Sequence, residues 1–335
     1  MGVATQQEAL RARFTGIPED VVNFFYFVAE ETRSLLAKLG YRSLKEIIGR
    51  ADLLNQRADA SLTKTKGMNL DCLINLPDVK SDRTWLDHGE INTNGDVLDD
   101  EILADPQIAA AISSQGKAVK ELKIVNTDRS VGARVSGAIA SKYGDNRFGG
   151  EITLNFQGYA GQSFAAFNHP GMKITLTGEA NDYVGKGMHG GEIVIKPPAT
   201  AGYDTSESAI VGNTCLYGAT GGILYANGRA GERFGVRNSV GKAVIEGAGD
   251  HCCEYMTGGV IVVLGKVGRN VGAGMTGGIG YFLDEDDSFS QKVNPEIVKI
   301  QRIMSEAGKQ QLKDCLLYTS PSPRDLSTSR MPSSA

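Results

Sequence analysis

The sequence predicts a mainly β protein whose body is a parallel β-helix, a solenoid of stacked coils, with α-helical segments toward both ends. Three observations predict this fold. Seven short, apolar, strand-like runs recur in the second half of the chain, each begins directly after a glycine, and these glycines are almost evenly spaced. They are Gly150, Gly171, Gly191, Gly222, Gly241, Gly259 and Gly278. The one long interval, from Gly191 to Gly222, contains an insertion, PPATAGYDTSES.

The glycines and the runs both have a physical reason to recur. A chain that turns a corner in a tightly stacked coil often needs a positive φ, and a side chain there would approach the next coil closely. The runs EITLNF, MKITLTG, EIVIKP, ILYANG, KAVIEG, VIVVLG and IGYFLD combine β-branched residues with alternation of period two. We therefore expect one strand after each glycine, and we expect six of the glycines to lie in register along one edge. These six are Gly171, Gly191, Gly222, Gly241, Gly259 and Gly278.

The first hundred residues differ in character from this ladder. Residues 18–39 predict a long helix, because Pro18 lies near its start, acidic residues occupy its first turn and Gly40 follows its end. Its apolar residues cover more than one face, which predicts packing on several sides. Residues 43–54 predict a short helix with a capping box of Ser43 and Glu46.

Four further segments connect this part of the chain to the ladder. Residues 56–98 are polar and irregular, and predict a linker. Residues 99–114 predict two short helices separated by Pro106. Residues 122–125 predict a strand, and residues 133–143 predict a small helix before the first glycine of the ladder.

Composition excludes several classes of function. The 335 residues carry a net charge of −4 and no dense basic stripe, which argues against nucleic acid as a partner. We find no run of eighteen apolar residues and no signal-peptide pattern, so we expect no membrane span. Five scattered cysteines fit a reduced, cytoplasmic protein better than a disulfide framework.

Few residue patterns in this sequence suggest catalysis, cofactor binding or metal binding. Residues 185–190 and 272–277 both satisfy G-x-G-x-x-G, but each leads into a strand, whereas dinucleotide binding needs a following helix. His251, Cys252 and Cys253 suggest a metal, yet neighbouring strand residues point to opposite sides, so we expect one core thiol beside a surface thiol. We assign no catalytic, cofactor-binding or metal-ligating residue in this sequence.

Seven motifs, in order along the chain, resemble the C-terminal region of the glutamate synthase large subunit. They are NTDRSVG (126–132), GQSF (161–164), NDYVGKGM (181–188), GNTCLYGA (212–219), GRAGERF (228–234), EYMTGG (254–259) and VNPE (293–296). The resemblance extends from Gly2 to about Asp314 and implies a single-stranded, right-handed β-helix. It implies an enzyme that makes L-glutamate from L-glutamine and 2-oxoglutarate.

The resemblance also implies what the rest of such an enzyme contributes. It implies an amidotransferase domain and an FMN-binding barrel with a 3Fe-4S iron–sulfur cluster, and of these we expect only the end of the barrel within this chain. It implies electrons from a small subunit carrying FAD and NADPH, or from ferredoxin. This region would be a structural spacer that holds the amidotransferase and FMN domains, and alone it would be inactive.

We expect five segments from these considerations. They are a helical end of the FMN-binding barrel (1–54), a linker with a short helix (55–120), the glycine-rich β-helix (121–284), a C-terminal helical segment (285–314) and a disordered tail (315–335). Residues 2–6 resemble the stretch after the last cluster cysteine of the family, so Met1 is expected to be an internal methionine. The tail resembles translated sequencing adapter, and a natural disordered tail is the alternative.

Five charged residues are candidates for interdomain contacts, with ordinary salt bridging at the corners as the alternative. These residues are Asp128, Arg129, Arg229, Glu232 and Arg233. A rival interpretation of the whole chain is a stand-alone β-helix scaffold, similar to the glycine-rich β-helix component of formylmethanofuran dehydrogenase. The helix at residues 18–39 argues against it, because a scaffold alone would not need the end of a flavin barrel.

Overall fold

The computed structural model describes residues 15–56, 67–75, 95–145 and 147–316. The chain divides into two compact units, residues 1–91 and residues 92–335. The expectations for residues 2–6, for most of the linker between 55 and 94 and for the tail after residue 316 lie outside the described residues.

The first unit contains the predicted long helix, α1, from Pro18 to Leu39. Pro18 occupies its first turn, and Gly40 ends it in the left-handed conformation by donating its N–H to the carbonyl of Ala37. No residue of α1 is buried. The predicted helix at 43–54 is wrong, because only two short 3-10 turns form, Leu44–Glu46 and Ala51–Leu53, on either side of Gly49 with φ of 74°. A single helical turn, α2, spans Asp71–Ile74.

The second unit begins with helices that lead into the sheet. Helices α3 (Leu98–Ala104) and α4 (Pro106–Ser114) are separated at Pro106 as predicted. Asp105 caps α4, because its carboxylate accepts the N–H groups of Gln107 and Ile108. Strand β1 (Lys117–Ile124) begins five residues before the predicted strand, and α5 (Ala133–Tyr143) has the predicted bounds.

Nine strands of the described residues form one sheet in which every pair is parallel. After β1 they are β2 (Glu151–Ala160), β3 (Met172–Ala180), β4 (Glu192–Lys196), β5 (Ala209–Val211), β6 (Ile223–Ala230), β7 (Lys242–Gly247), β8 (Thr257–Val263) and β9 (Gly277–Phe282). Neighbours in the chain are neighbours in the sheet, except that β4 pairs with β6, and β5 pairs with β3 and β6. A strand therefore begins within two residues of each of the seven predicted glycines, with Gly259 and Gly278 inside β8 and β9, whereas β5 was not predicted.

The glycines lie in register over most of the sheet. The residue after each glycine pairs with the residue after the next one, as Glu192 pairs with Ile223 and Ile223 with Lys242. Lys242 pairs in turn with Val260, which follows Gly259, and Val260 pairs with Ile279, which follows Gly278. Gly171 is one residue out of this register, because Lys173, and not Met172, pairs with Glu192. The predicted alignment is therefore wrong at that one position.

The core of the second unit lies behind the sheet and continues under the segments that follow the strands. Its largest fully buried side chains include Phe156, Phe164 and Phe234, and the rings of Phe156 and Phe164 meet edge to face at 5.4 Å. Alternation along the strands produces this burial, since every second residue of β3 from Met172 to Ala180 is buried.

The C-terminal segment covers part of the opposite face of the sheet. A 3-10 turn (Phe289–Lys292) precedes helix α6 (Glu306–Leu316), which ends two residues beyond the expected boundary. Apolar residues of α6 pack on an outward stripe of β6, β7, β8 and β9, and Tyr281 Oη donates to Gln311 Oε1 at 2.7 Å. The stripe is Tyr225, Val244, Val262 and Tyr281. Cys315 of α6 is buried against this face of the sheet, and burial raises the pKa of its thiol.

Candidate functional site

A second hydrogen-bonded ladder runs beside the sheet, in the turn segments that follow the strands. These turn segments are 161–168, 181–188, 212–219, 231–238, 249–256 and 268–275. In the first of them every second residue, Ser163, Ala165 and Phe167, has a left-handed backbone with φ between 55° and 62°. Their N–H groups donate in turn to the carbonyls of Asp182, Val131 and Lys186, each at 2.8 Å. Consecutive turn segments are therefore joined by backbone hydrogen bonds, as the strands are.

The two G-x-G-x-x-G segments belong to this ladder. Gly185 and Gly187 have φ of 64° and 61°, and Gly272 and Gly274 have φ of 68° and 67°. A Cβ atom on Gly187 would lie 2.7 Å from the ring of Phe167. The dinucleotide interpretation lacks its structural context, because the turns lead into strands and their N–H groups already bind carbonyls.

The expectation for the adjacent cysteines is wrong. Cys252 and Cys253 are both buried, and their Sγ atoms lie 3.8 Å apart. They belong to a turn segment and not to a strand, and Cys253 has φ of 61°, so the alternation of faces does not apply. Hydrogen bonding to Cys253 and burial raise the pKa of the Cys252 thiol, and burial raises the pKa of Cys215 to about 12. The Cys252 and Cys215 thiols are thus held in the unreactive, protonated form.

Three of the five predicted contact residues have partners within the second unit. The Asp128 carboxylate accepts the N–H of Val125 at 2.9 Å and so closes its own turn. Arg129 donates to Gln162 Oε1 at 2.8 Å in the following turn segment. Arg233 pairs with Glu254 at 2.6 Å, one turn segment further on. Arg129 and Arg233 thus each join two neighbouring turns of the second unit.

The other two predicted contact residues lie near the insertion and the last strands. Arg229 is 3.7 Å from Glu207 of the insertion, and Glu207 also pairs with Lys266 at 3.0 Å. Glu232 is held through its backbone, because its N–H donates to Asn213 Oδ1 at 2.8 Å. The structure thus distributes the five residues along the row of turns and does not gather them into one site.

A buried carboxylate that sequence reasoning missed lies where α3 meets the first turn. Asp99 is 3% exposed, and its two oxygens accept the N–H groups of Gly132 and Arg134, each at 2.7 Å. Gly132 lies next to Val131, whose carbonyl accepts the N–H of Ala165 in the following turn. Asp99 therefore supplies acceptors to the turn at residues 126–132, which we call the first turn and which precedes the six turn segments. Burial raises the pKa of Asp99, and the backbone donors oppose that shift.

Sequence reasoning also missed a set of exposed and half-buried aromatic and basic side chains on the turn segments. We call it the aromatic–basic face and define it by Phe167, Tyr183, Lys186, Tyr217, Arg237 and Tyr255. The Lys186 ammonium lies 5.6 Å from the centre of the Tyr183 ring and 5.9 Å from that of Tyr217. Aligning the turn segments one under another would have revealed part of it, because Phe167, Arg237 and Tyr255 fall at a position that is glycine in the other three segments.

The described histidines offer no metal site. His169 is buried, and its Nδ1 and Nε2 atoms lie 2.7 Å and 2.9 Å from the carbonyl oxygens of Pro170 and Gly144. Among the residues that the structure describes, no three His, Cys, Asp or Glu side chains are grouped closely enough to hold a metal ion. Over the same residues, no helix combines the length and the apolar character needed to cross a membrane.

Comparison with known proteins agrees with the motifs. The model of the family described as "GXGXG motif" matches residues 99–319, and that described as "Conserved region in glutamate synthase" matches residues 1–42. The chain is 68% identical over 316 residues to "Ferredoxin-dependent glutamate synthase 2" of Synechocystis sp.. It is 58% identical over 316 residues to the "Ferredoxin-dependent glutamate synthase" of Pyropia yezoensis.

These relatives are much longer than the chain. Each match covers 94% of the chain but only 20% of the relative, and the same holds for the chloroplastic enzyme of Spinacia oleracea, at 56% identity. The matched models nevertheless cover most of the chain, and the motifs carried by the turn segments lie within them. The chain therefore belongs to the GXGXG motif family and, within it, to the large subunits of the glutamate synthases.

Proposed function

We propose that this chain forms the structural spacer of a glutamate synthase, an oxidoreductase that makes L-glutamate from L-glutamine and 2-oxoglutarate. The observation that carries the proposal is the identity of 68% to a ferredoxin-dependent glutamate synthase over 94% of the chain. That name also supports ferredoxin as the electron donor, in preference to a small subunit. A cytoplasmic location belongs to the same proposal.

The spacer is proposed to be a single-stranded, right-handed parallel β-helix over residues 121–284. Its support is the pairing of each strand with the next one in parallel, together with the parallel row of turn segments bonded between neighbours. Such a body is stiff because two ladders connect each coil to the next. Stiffness suits a spacer, since displacement of reacting centres by an ångström costs large factors in rate.

The other segments keep the roles that the resemblance implies. Residues 1–54 are proposed to end an FMN-binding barrel, residues 55–120 to link it to the β-helix, and residues 285–314 to form the helical C-terminal segment. The 3Fe-4S cluster does not fit the described residues, because four of the five cysteines are buried and no group of three ligands occurs among those residues. The resemblance implies that FMN binds in a barrel of which residues 1–54 form only the end. We therefore assign both cofactors to the part of a glutamate synthase outside this chain.

A deletion and replacement experiment tests this function. Removing the matching fifth from the Synechocystis enzyme should abolish glutamine-dependent glutamate formation, and inserting this chain in its place should restore it. The chain alone should release no ammonia from glutamine and should show no flavin absorbance. Full activity of the deleted enzyme, or failure of the replacement to restore it, would contradict the proposal.

A further inference from the structure

The aromatic–basic face is held in place by the backbone of the turn segments. Phe167, Tyr183, Arg237 and Tyr255 have left-handed backbones with φ between 53° and 65°. Gly187, Gly218 and Gly274 share this conformation at the turn position equivalent to that of Phe167, Arg237 and Tyr255, and glycine adopts it with the least strain. Phe167, Arg237 and Tyr255 are thus large side chains at a turn position where other turn segments have glycine.

Burial does not explain these side chains. Phe167 is 56% exposed and Tyr255 is 50% exposed, so each leaves about half of its surface in water. Each ring lies against a glycine of the next turn, Phe167 on Gly187 and Tyr255 on Gly274. This contact holds one side of each ring and leaves the other side to solvent.

Within the part of the chain that the structure describes, the basic side chains of this face have no carboxylate partners. Other cations on the turn segments are neutralised, as Arg233 is by Glu254 and Arg269 by Asp250. No ion pair of the described residues includes Lys186 or Arg237, and Lys186 is instead held between the rings of Tyr183 and Tyr217. An ammonium held in this way loses little side-chain entropy when it binds a carboxylate.

We propose that the aromatic–basic face is the docking surface for the part of a glutamate synthase large subunit that this chain lacks. The complementary surface presents carboxylates to Lys186 and Arg237 and apolar side chains to the exposed rings. The inference rests on the proposed function and names the surface through which the spacer acts. Arg129 and Arg233 differ from Lys186 and Arg237, because each binds a partner within the unit through one guanidinium nitrogen.

The size and composition of the face suit a protein partner. Phe167 and Tyr255 lie four strand spacings apart, which is about 19 Å at about 4.8 Å for each spacing. An interface of standard size buries roughly 800 Å² on each partner, a patch roughly 28 Å on a side, so the face extends over about two thirds of that length. Tyrosine, phenylalanine and arginine are the residue types that such interfaces favour. The four fifths of the relatives' length outside the match contains the partner.

Binding in trans tests the proposal. The probe is the Synechocystis relative made without its matching fifth, immobilised for biolayer interferometry against this 335-residue chain. The double variant Lys186→Glu, Arg237→Glu should weaken binding at least tenfold and reduce the dependence of affinity on salt. The matched control, Lys299→Glu with Arg302→Glu, makes the same change in net charge on exposed cations elsewhere and should bind within twofold of the unaltered chain.

A second pair of variants tests the rings. Phe167→Ala with Tyr255→Ala should also weaken binding at least tenfold while leaving the circular dichroism spectrum and the thermal midpoint of the chain unchanged. If the unaltered chain binds and the charge-reversed and alanine variants bind equally well, the assignment of this face is wrong. If the unaltered chain does not bind at all, the proposed function itself is contradicted.

Discussion

Single glycines at the strand starts satisfy two requirements at once. Gly259 has φ of 83°, and a Cβ atom there would lie 2.3 Å from the carbonyl oxygen of Gly241 in the neighbouring strand. Asn238 is equally close, because its buried amide bonds the carbonyls of Gly241 and Gly258. Gly218 has φ of 61° but open space around it. A side chain at Gly218 would therefore cost only the free energy of a left-handed backbone, whereas one at Gly259 would also clash with the neighbouring segment.

This contrast predicts different losses for the same substitution. Gly218→Ala should reduce the free energy of unfolding by about 1–2 kcal/mol, the cost of a left-handed backbone with a Cβ. Gly259→Ala should reduce it by about 3 kcal/mol or more, because the clash with the Gly241 carbonyl is added. Urea unfolding followed by circular dichroism measures both. Equal losses would show that stacking does not select glycine at the strand start.

Asp99 is the residue on which the first turn most depends. Asp99→Ala should reduce the free energy of unfolding by about 2–4 kcal/mol, because the N–H groups of Gly132 and Arg134 lose their acceptor in a buried place. Asp100→Ala is the matched control, since it breaks only a half-exposed pair with Arg134 and should cost less than about 1 kcal/mol. Similar losses for the two variants would contradict the role given to Asp99.

At the scale of elements, ion pairs join neighbouring strands and anchor α4. Asp105 caps α4 and also pairs with Lys120 of β1, Glu151 pairs with Lys173 across β2 and β3, and Asp250 pairs with Arg269. The cationic partner is the first cause that lowers the pKa of each of the three carboxyl groups. These pairs contribute little individually, because all are close to solvent.

The direction of these shifts predicts loss of stability in acid. Each carboxyl has a lower pKa in the folded chain than its unfolded value of about 4, so its stabilisation is complete above that value. It is lost as the pH falls through the folded pKa. The urea midpoint should hold steady from about pH 7 to 5 and decrease below about pH 4. The pKa of Asp99 is shifted in the opposite direction, so its burial costs stability as the pH rises above the unfolded pKa. Asp99 therefore does not contribute to the loss of stability below pH 4.

A variant identifies one contributor to this acid effect. Asp105→Asn retains an oxygen that can accept the N–H groups of Gln107 and Ile108 but removes the charge opposite Lys120. The decrease below pH 4 should therefore be smaller in this variant, and in 1 M salt it should shrink in the unaltered chain as well. An unchanged decrease in Asp105→Asn would exclude that pair as a source.

At the scale of the whole molecule, repetition was readable from the sequence and local conformation was not. The spacing of glycines predicted seven strands because each strand needs the same corner. The left-handed residues of the turn segments carry no such signal, since Ala165, Leu216 and Cys253 adopt this conformation only because neighbouring turns hold them. The pairing of Asp99 with the first turn was hidden for the same reason, because it joins residues 33 apart.

Helix α1 was predicted to its end residues, and it leads to a prediction about the whole chain. Its aromatic run is exposed, with Phe24, Phe25 and Phe27 between 61% and 72% accessible. Each such side chain left in water forgoes roughly 1.5–3 kcal/mol of burial, and a contiguous patch of this kind favours association. The chain should therefore show self-association that increases with concentration in sedimentation velocity experiments.

Substitution at this patch should relieve the association. Phe25→Glu with Phe27→Lys leaves the net charge unchanged and should restore a single monomer boundary from about 1 to 50 µM. The control Glu30→Gln with Arg33→Gln removes only an exposed ion pair on the same helix and should associate like the unaltered chain. A monomeric unaltered chain at all these concentrations would mean that the aromatic run of α1 is covered within the chain itself, against the assignment of residues 1–54 to the end of a larger barrel.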